Sequence, residues 1–265
     1  MEDQRPEDGF EEIVGDGPEL KRMLKLATKV ARSDAPVLIL GEFGSGKELI
    51  ARAIHRISAR KNQSFVKVNC ALAMSAAGTL ESELFRQESA PQDESRKIGH
   101  VELADQGTLF LDGIAYLPLD LQARLLDLLE RQEIEPEDGA TRMAVNVRVI
   151  ATTEDDLGER VAKEMFRGDL YDRLNVFSIP VPALRERRHD IPLLARYFMQ
   201  KFARRLHKHV DTIPDETLSF LTNSDWPGNV RQLENLIERS VILTQGSTLR
   251  VPRAGLQPDS DAQAG

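Results

Sequence analysis

The sequence contains a single cysteine, Cys70, which excludes an intrachain disulfide and a metal site built on a cysteine cluster. No apolar stretch approaches the roughly 20 residues that span a bilayer. The first residues, MEDQRPEDGFEE, are acidic and have no apolar core, so they do not form a secretory signal. These absences predict a cytoplasmic protein without a membrane partner.

An excess of positive charge is also missing, because 35 Lys and Arg stand against 43 Asp and Glu, for a net charge of -8. Basic side chains supply much of the affinity for duplex nucleic acid, so this chain is not expected to bind DNA by itself. What is present is an ordinary globular composition. The 265 residues, 41% of them hydrophobic, suffice for one large domain or two smaller ones.

The chain up to about Val181 alternates short apolar runs with helical patterns. Strands are predicted by APVLILG, SFVKVNC, GTLFLDGI and VNVRVIATT, and helices by ELIARAIHRIS and LDLQARLLDLLERQE. This alternation is typical of an α/β fold, a parallel sheet between helices. Three further helical patterns then follow, separated by proline and glycine signals. We expect a disordered leader over 1–9, an α/β subdomain over 10–182, a helical subdomain over 183–250 and a disordered tail over 251–265.

A glycine-rich motif joins the first predicted strand to the next helix. The spacing G-x-x-x-x-G-K is met by the residues Gly41, Glu42, Phe43, Gly44, Ser45, Gly46 and Lys47. Glycines let backbone N–H groups curl around phosphates, the helix N-terminus adds a favourable dipole, and the lysine reaches the β- and γ-phosphates. The motif predicts ATP as the ligand, with an ordinary strand-to-helix turn as the alternative.

Two carboxylates are candidates for binding Mg²⁺. Glu48 stands where a Ser or Thr usually offers its hydroxyl to the metal. Asp112 ends a predicted buried strand, where it could hold magnesium through a water; a turn residue is the alternative. Gly113 follows, at a position where many ATPases of this class carry a carboxylate that polarises the attacking water. Glycine has no side chain to do so.

The motifs together resemble one family over nearly the whole chain, from about Phe10 to Leu249. The matching stretches are IVGDGPEL, VLILGEFGSGKELIARAIH, FVKVNC, LESELF, GTLFLD, FRGDLYDRLNVFSIPVPALRERRHDIPLL and DWPGNVRQLENLIERSVIL. They are similar to the central AAA+ domain of bacterial enhancer-binding proteins, the activators of sigma-54 RNA polymerase. In that family a glutamate normally follows the loop lysine, as Glu48 does here. The resemblance implies a P-loop α/β core followed by a helical lid.

The resemblance also implies roles for residues around the nucleotide. Lys47 and the loop backbone resemble the triphosphate cradle, and Asp112 resembles the magnesium-associated acid. Asn69 matches the asparagine that holds the catalytic glutamate until the ring is ready. Val14 and Gly15 lie where the adenine pocket of the family begins.

Three arginines match family positions that act on nucleotide. Arg167 and Arg173 resemble the arginines presented to the neighbouring subunit's nucleotide, which implies a ring of the hexamer or heptamer type, although an isolated domain could be monomeric or dimeric. Arg231 resembles the lid arginine that senses nucleotide. Without the family, Arg173 would be a surface helix residue and Arg231 a partner of Glu234 or Glu238.

The sequence departs from the family at three places. Gly113 stands where the family has its catalytic glutamate, and the loss of a positioned base commonly costs ~10²–10⁴-fold in rate. Glu154 stands where the family usually has a sensor asparagine. It could point away, help hold magnesium or replace the missing base. The stretch from Arg86 to His100 is polar and contains nothing like GAFTGA, the family's contact loop for sigma-54.

These observations predict an ATP-binding, oligomerising domain of a divergent transcription regulator. We expect ATP hydrolysis to be weak or absent and sigma-54 engagement to be lost, with RNA polymerase or its sigma factor as partner. DNA would be bound only through a missing C-terminal domain. One alternative is an active ATPase that remodels sigma-54 polymerase with Glu154 or another acid as base. A second is an interaction scaffold that binds no nucleotide.

Overall fold

A computed structural model describes residues 10–71, 77–85, 99–134 and 142–252. The leader 1–9, most of the tail and the stretch 86–98 lie outside the described residues. The expectations for disordered termini and for a polar loop in place of GAFTGA therefore remain predictions.

The described strands form a five-stranded parallel sheet and a separate two-stranded antiparallel ribbon. The order in the large sheet is β2-β3-β6-β1-β7, and β4 pairs with β5 in the ribbon. The strands are β1 (Val37–Leu40), β2 (Phe65–Asn69), β3 (Thr108–Asp112), β4 (Glu133–Ile134), β5 (Met143–Ala144), β6 (Arg148–Thr153) and β7 (Ser178–Pro180). The four apolar runs that predict strands all lie in the large sheet, so the prediction of an α/β fold is confirmed.

Helices occupy the segments between strands and the last part of the described chain. They are α1 (Pro18–Ala31), α2 (Lys47–Arg56), α3 (Ala77–Leu84), α4 (His100–Leu103), α5 (Leu119–Arg131), α6 (Leu157–Ala162), α7 (Gly168–Leu174), α8 (Ile191–Arg205), α9 (Asp215–Asn223) and α10 (Asn229–Leu243). No helix in the described ranges is both long and apolar enough to pass through a bilayer.

The central strands are buried on both faces because side chains alternate along them. On one face Leu109 and Leu111 pack in a core with Leu125 and Leu128 of α5. On the other face α2 packs against β1, β3 and β6. Continuous apolar runs such as GTLFLDGI follow from this arrangement, since the strand residues before Asp112 are all buried.

Contacts divide the chain into two compact units. Among the described residues, the α/β unit comprises 10–11, 23–41 and the described part of 47–181, and the helical unit comprises 12–22, 42–46 and 182–252. In the helical unit α8, α9 and α10 enclose a core that includes Trp226, whose indole N–H donates to the carbonyl of Leu221 at 2.8 Å. Residues 42–46 of the glycine-rich loop therefore group with the helices, while Gly41 and Lys47 group with the sheet.

The amino end of the sheet carries a buried arginine at the start of β6. Arg148 is 1% exposed, and its guanidinium donates to the carbonyls of Val30 at 2.9 Å and Ala31 at 3.3 Å. These carbonyls end α1, where a helix leaves acceptors without internal partners. Burial lowers the pKa of Arg148 to about 10, which leaves the guanidinium charged at neutral pH. The arginine therefore caps a helix from within the core.

A second arginine, Arg60, joins the same end of the sheet to the surface. It forms two hydrogen bonds of 3.0 and 3.1 Å with the carboxylate of Asp34. It also donates to the carbonyls of Gly107 at 3.0 Å and Asn146 at 2.7 Å. The hydrogen bond from Arg60 lowers the pKa of Asp34 against the opposing effect of burial. The charges at this end therefore bind mainly backbone acceptors and each other.

Candidate nucleotide-binding site

The loop lysine lies at the carboxyl ends of the parallel strands. Lys47 is the first residue of α2 and is 8% exposed. Its ammonium donates to the carbonyl of Gly41 at 2.8 Å and forms an ion pair with Oε1 of Glu154 at 3.2 Å. Glu154 follows Thr153, whose carbonyl accepts from the N–H of Gly41 at 3.2 Å. The sequence brings Lys47 and Glu154 together because the ends of β1 and β6 are adjacent.

Asp112 ends β3 at the same edge of the sheet. Its Oδ1 accepts a hydrogen bond of 2.8 Å from the hydroxyl of Thr152, and its Oδ2 lies 3.2 Å from the ammonium of Lys67. Thr152 also accepts from the N–H of Gly113 at 3.0 Å. Asp112 is therefore held by side chains of the neighbouring strands on both sides, Lys67 of β2 and Thr152 of β6.

Glu48 has cationic partners on both of its oxygens. Oε1 accepts from Nε and Nη2 of Arg52 at 3.0 and 2.8 Å, one turn further along α2, and Oε2 accepts from Lys67 at 2.6 Å. Burial raises the pKa of Glu48, but the hydrogen bonds from Lys67 and Arg52 outweigh it, so this pKa is lowered overall. Glu48 is therefore a carboxylate held in place by two protein cations.

Asn69 ends β2 directly opposite Asp112 in the strand register. It is exposed, and its side-chain oxygen accepts from the N–H of Ala71 at 3.0 Å. The next residue, Cys70, is buried, and burial raises the pKa of its thiol to about 12. The cysteine is therefore a protonated core residue, while the asparagine amide lies beside the acid of the next strand.

Gly113 adopts a left-handed backbone conformation, with φ 76° and ψ 51°. A β-carbon at this position would lie 3.2 Å from Cδ2 of Tyr116. L-residues pay about 1–2 kcal/mol for left-handed backbone, so glycine suits this turn for a physical reason. The position after Asp112 thus carries no side chain and disfavours one.

Arg167 and Arg173 lie at the two ends of α7. The guanidinium of Arg167 pairs with Asp169 at 2.7 Å, and hydrogen bonding to that carboxylate raises the pKa of Arg167. Arg173 donates to the carbonyl of Leu129 at 3.2 Å. Both arginines are exposed. Arg167 thus immediately precedes the helix and Arg173 lies in its last turn, and both are at the surface.

In the helical unit, residues 42–46 are held by their carbonyl groups. The carbonyl of Phe43 accepts from the side-chain amide of Asn229 at 2.9 Å, and that of Ser45 accepts from Arg187 at 3.0 Å. Because a trans peptide directs its C=O and N–H to opposite sides, the N–H groups of Gly44 and Gly46 turn away from these donors. Gly44 has φ 72°, and a β-carbon there would lie 2.4 Å from the carbonyl oxygen of Gly228.

The carboxylate of Glu42 is also bound within the helical unit. Arg185 donates to both of its oxygens, and Asn229 donates to one of them at 3.1 Å. Arg231 lies with its guanidinium 5.7 Å from the centre of the Phe43 ring. Glu42 and Phe43, which are variable positions of the glycine-rich motif, therefore both contact side chains of the helical unit.

In the part of the chain that the structure describes, Arg231 forms no ion pair with either candidate glutamate of α10. Glu234 pairs with Lys201 at 2.9 Å, and Glu238 pairs with Arg205. Arg231 itself is exposed.

The segment around Val14 and Gly15 is fixed by a buried acid. Val14 packs against the core of the helical unit. Oδ1 of Asp190, a residue with no exposed surface, accepts from the N–H groups of Asp16 at 2.8 Å and Gly17 at 3.0 Å. The predicted start of the adenine pocket is therefore an ordered turn.

A magnesium ion fits the residues at this edge only in part. Mg²⁺ is usually bound by one or two carboxylates together with substrate phosphates and waters. Asp112 supplies such a carboxylate, while both oxygens of Glu48 bind Arg52 and Lys67. Within the described ranges, no group of three or more His, Cys, Asp or Glu residues forms a metal site. Phosphate oxygens would thus have to complete the coordination.

Sequence reasoning overlooked Lys67, which contacts both candidate magnesium ligands. Its position in the alternating run SFVKVNC marks it as a strand residue on the face opposite Val66 and Val68. The register pairs Lys67 with Phe110, two residues before Asp112, on the adjacent strand. A polar residue on the strand next to a strand-end acid is the signal that could have identified Lys67 as a contact of Asp112.

The parallel α/β fold, the helical unit and the phosphate-binding loop define a P-loop protein of the AAA+ class. The family model described as the sigma-54 interaction domain matches residues 13–180, and the model described as the AAA+ ATPase lid domain matches residues 185–259. The chain belongs to the sigma-54 interaction domain family.

Known relatives share high identity but are longer. The formate hydrogenlyase transcriptional activator FhlA of Escherichia coli strain K12 is 52% identical over 244 residues, which cover 91% of this chain and 35% of the relative. The transcriptional regulatory protein ZraR of Klebsiella oxytoca is 45% identical, over 88% of this chain and 53% of the relative. This chain spans about a third to a half of these relatives.

A solved structure of NtrX from Brucella abortus in complex with ATP has a TM-score of 0.83 and 38% identity to this chain. The match covers 94% of this chain and 56% of NtrX. A structure of the same protein in complex with ADP has a TM-score of 0.84 and 37% identity, covering 92% of this chain and 55% of that one. The α/β core and helical lid implied by the resemblance are therefore confirmed at the level of the fold.

Proposed function

We propose that this chain is the ATP-binding, oligomerising AAA+ domain of a bacterial transcription regulator, in which bound ATP acts as a conformational signal and is hydrolysed slowly or not at all. The proposal rests on one observation above the others. At the end of β3, the magnesium-associated acid Asp112 is present and ordered, while the next position is Gly113. ATP binding and ATP cleavage thus depend on different residues. The residues for binding are present, whereas the residue that would assist cleavage is replaced by Gly113.

The case for ATP binding starts from the loop. The N–H groups of Gly44 and Gly46 are turned away from the donors that hold the loop carbonyls, and Lys47 lies at the start of α2. Such a loop binds phosphate through backbone N–H groups, the helix dipole and the lysine. The ATP complex of NtrX, a relative of the same fold, supports the choice of nucleotide. Val14 and Gly15 are assigned to the adenine pocket.

The case against rapid hydrolysis rests on Gly113 and Glu154. Gly113 supplies no carboxylate, so Asn69, which would hold a catalytic glutamate, has no such group after Asp112. Glu154 is ion-paired with Lys47 at 3.2 Å, so one of its oxygens is already bound to the loop lysine. Glu48 and Asp112 likewise bind protein cations, so none of these three carboxylates stands ready to activate a water.

The proposed assembly rests on α7. Arg167 and Arg173 are exposed at its two ends, as groups that act on a neighbouring subunit's nucleotide must be. An arginine in that position stabilises phosphate charge in trans. We assign Arg231 to sensing nucleotide from the helical unit. Self-association, into a ring of the hexamer or heptamer type, would then respond to ATP.

The proposed partners are RNA polymerase or its sigma factor, with DNA bound through a further domain of the regulator. The family model is that of a sigma-54 interaction domain. The polar stretch 86–100 lacks the GAFTGA sequence, and we propose that sigma-54 engagement is lost. Mixing the chain with sigma-54 and ATP should then give no complex in light scattering, whereas a complex would restore the alternative of a sigma-54 activator.

Titration calorimetry with ATP and Mg²⁺, followed by chromatography of the recovered nucleotide, tests the proposal directly. We expect saturable binding and recovery of intact ATP after prolonged incubation. Binding with conversion to ADP would support the active ATPase, and no binding would support the nucleotide-free scaffold. The variant Lys47→Met should weaken this binding, and Lys163→Met is its matched control. It removes an exposed lysine that pairs with Glu159, and should bind ATP as the wild type does.

A further inference from the structure

Lys67 lies between the two carboxylates assigned to magnesium. Its ammonium is 2.6 Å from Oε2 of Glu48 and 3.2 Å from Oδ2 of Asp112. The lysine comes from the edge strand β2, whereas the two acids come from α2 and β3. Three separate elements thus bring one cation and two anions together.

The position of this ammonium is fixed rather than incidental. Its side chain is 35% exposed and lies with Nζ 6.0 Å from the centre of the Phe110 ring. Burial opposes its charge, but hydrogen bonds to Glu48 and Asp112 outweigh burial and raise the pKa of Lys67. A lysine with two carboxylate contacts and an aromatic neighbour stays charged and in place at neutral pH.

The second cation of the cluster makes the charges balance. Arg52 binds the other oxygen of Glu48 at 2.8 Å. The cluster then contains two carboxylates, from Glu48 and Asp112, and two cations, from Lys67 and Arg52. A divalent ion approaching Asp112 would meet a neutral cluster with an ammonium in contact with the acid. Like charges a few ångströms apart repel even at a protein surface, so the ammonium opposes the approach of the metal to Asp112.

We propose that Lys67 is a resident counter-cation for Asp112 and Glu48, and that it lowers the dependence of ATP binding on magnesium. This inference rests on the proposed function, since it requires the chain to bind ATP. Lys67 is a positioning residue: it acts on magnesium through the two carboxylates. The remaining phosphate contacts, from the loop N–H groups and Lys47, do not require the metal. ATP would then bind in the absence of Mg²⁺ with only a modest loss of affinity.

The test measures the dissociation constant of ATP by calorimetry in excess Mg²⁺ and again in excess EDTA. The quantity compared is the ratio of the constant in EDTA to the constant in Mg²⁺. Lys67→Met removes the charge and keeps the length of the side chain, and Lys67→Gln is a second neutral variant. We expect the ratio to rise at least about tenfold in both, because the freed carboxylates attract the metal.

Two control variants separate the charge from other effects. Lys67→Arg keeps a cation at the site and should leave the ratio near that of the wild type. Lys163→Met removes an exposed lysine of the same unit and should leave it unchanged. A purely structural role of Lys67 would weaken ATP binding equally in both media, so an unchanged ratio in Lys67→Met and Lys67→Gln would overturn the inference. Absence of ATP binding by the wild type in either medium would overturn the proposed function, and the inference with it.

Discussion

The two ends of the large sheet both carry charge clusters, but the clusters bind different kinds of group. At the amino end, Arg148 is almost fully buried and donates to backbone carbonyls, and Arg60 donates to two further carbonyls besides the side chains of Asp34 and Asn146. At the carboxyl end, the ammonium groups of Lys47 and Lys67 pair with carboxylates that remain about one third exposed, although Lys47 also donates to the carbonyl of Gly41. Backbone carbonyls buried in a fold cannot exchange their partners without unfolding. Carboxylates that are one third exposed can, and in the proposed complex a phosphate would compete with Glu154 for Lys47.

The difference explains why one end supports the fold and the other supports binding. A buried donor to the last carbonyls of α1 contributes to the free energy of unfolding, because its removal takes a hydrogen bond from those acceptors. A partly exposed lysine paired with a partly exposed acid, as Lys67 is with Asp112, contributes little to that free energy. Such a lysine contributes instead to the affinity for a ligand. Variants at the two ends should therefore separate stability from ATP affinity.

The largest effect is expected at the amino end. Arg148→Ala should lower the free energy of unfolding by about 4 kcal/mol, since it removes a buried donor from the carbonyls of Val30 and Ala31 and creates a cavity. Urea unfolding followed by circular dichroism measures this change. The matched control is Arg131→Ala, which removes an exposed arginine paired with Asp127 and should cost less than about 0.5 kcal/mol. Equal losses in the two variants would contradict the comparison.

The next effect is expected at the carboxyl end, in binding rather than stability. Lys47→Met should weaken ATP binding about 100-fold, or about 3 kcal/mol, because a charge-assisted bond to phosphate is lost. Calorimetry gives the affinity, and urea unfolding should show a change below about 1 kcal/mol. A variant that unfolds readily but binds ATP normally would mean that Lys47 serves the fold, as Arg148 does.

These expectations also show what the sequence could predict. The residue pattern predicts the positions of Asp112 and Lys47, because buried parallel strands end at one edge of a sheet and a glycine-rich turn marks the start of α2. The role of Lys67 requires the register of β2 against β3 and the position of Glu48 on α2, neither of which the residue pattern contains. The partners of Arg148 lie at the end of α1, far away in sequence. Contacts between distant elements depend on packing, and no local spacing encodes them.

The smallest effect concerns a histidine near the amino end. His55 on α2 is 6% exposed, and its Nδ1 lies 2.9 Å from the hydroxyl of Thr108. Burial is the main cause that lowers the pKa of His55 below its usual value of 6.5, and the charges of Arg148 and Arg52 add to it. The unfolded chain therefore takes up the proton first as pH falls below 6.5, and stability is lost there.

The expected loss between pH 7.5 and 5.5 is up to about 1 kcal/mol from this residue. Urea unfolding of wild type and His55→Gln at both values measures it, because the variant should lose less stability between them. His209→Gln, at an exposed histidine, should behave as the wild type does. An identical pH dependence in all three proteins would show that His55 carries its proton equally in the folded and unfolded states.

The central claim is that ATP is held without rapid cleavage because the position after Asp112 carries no carboxylate. Gly113→Glu restores one, and Gly113→Gln is the matched control, since both place an L side chain at φ 76° beside Tyr116. The strain, about 1–2 kcal/mol, is then common to both variants. The deciding measurement is phosphate release from saturating Mg²⁺-ATP by the wild type and both variants. The account predicts release at least about 100-fold faster from Gly113→Glu than from the other two, whereas equal rates in all three would contradict it.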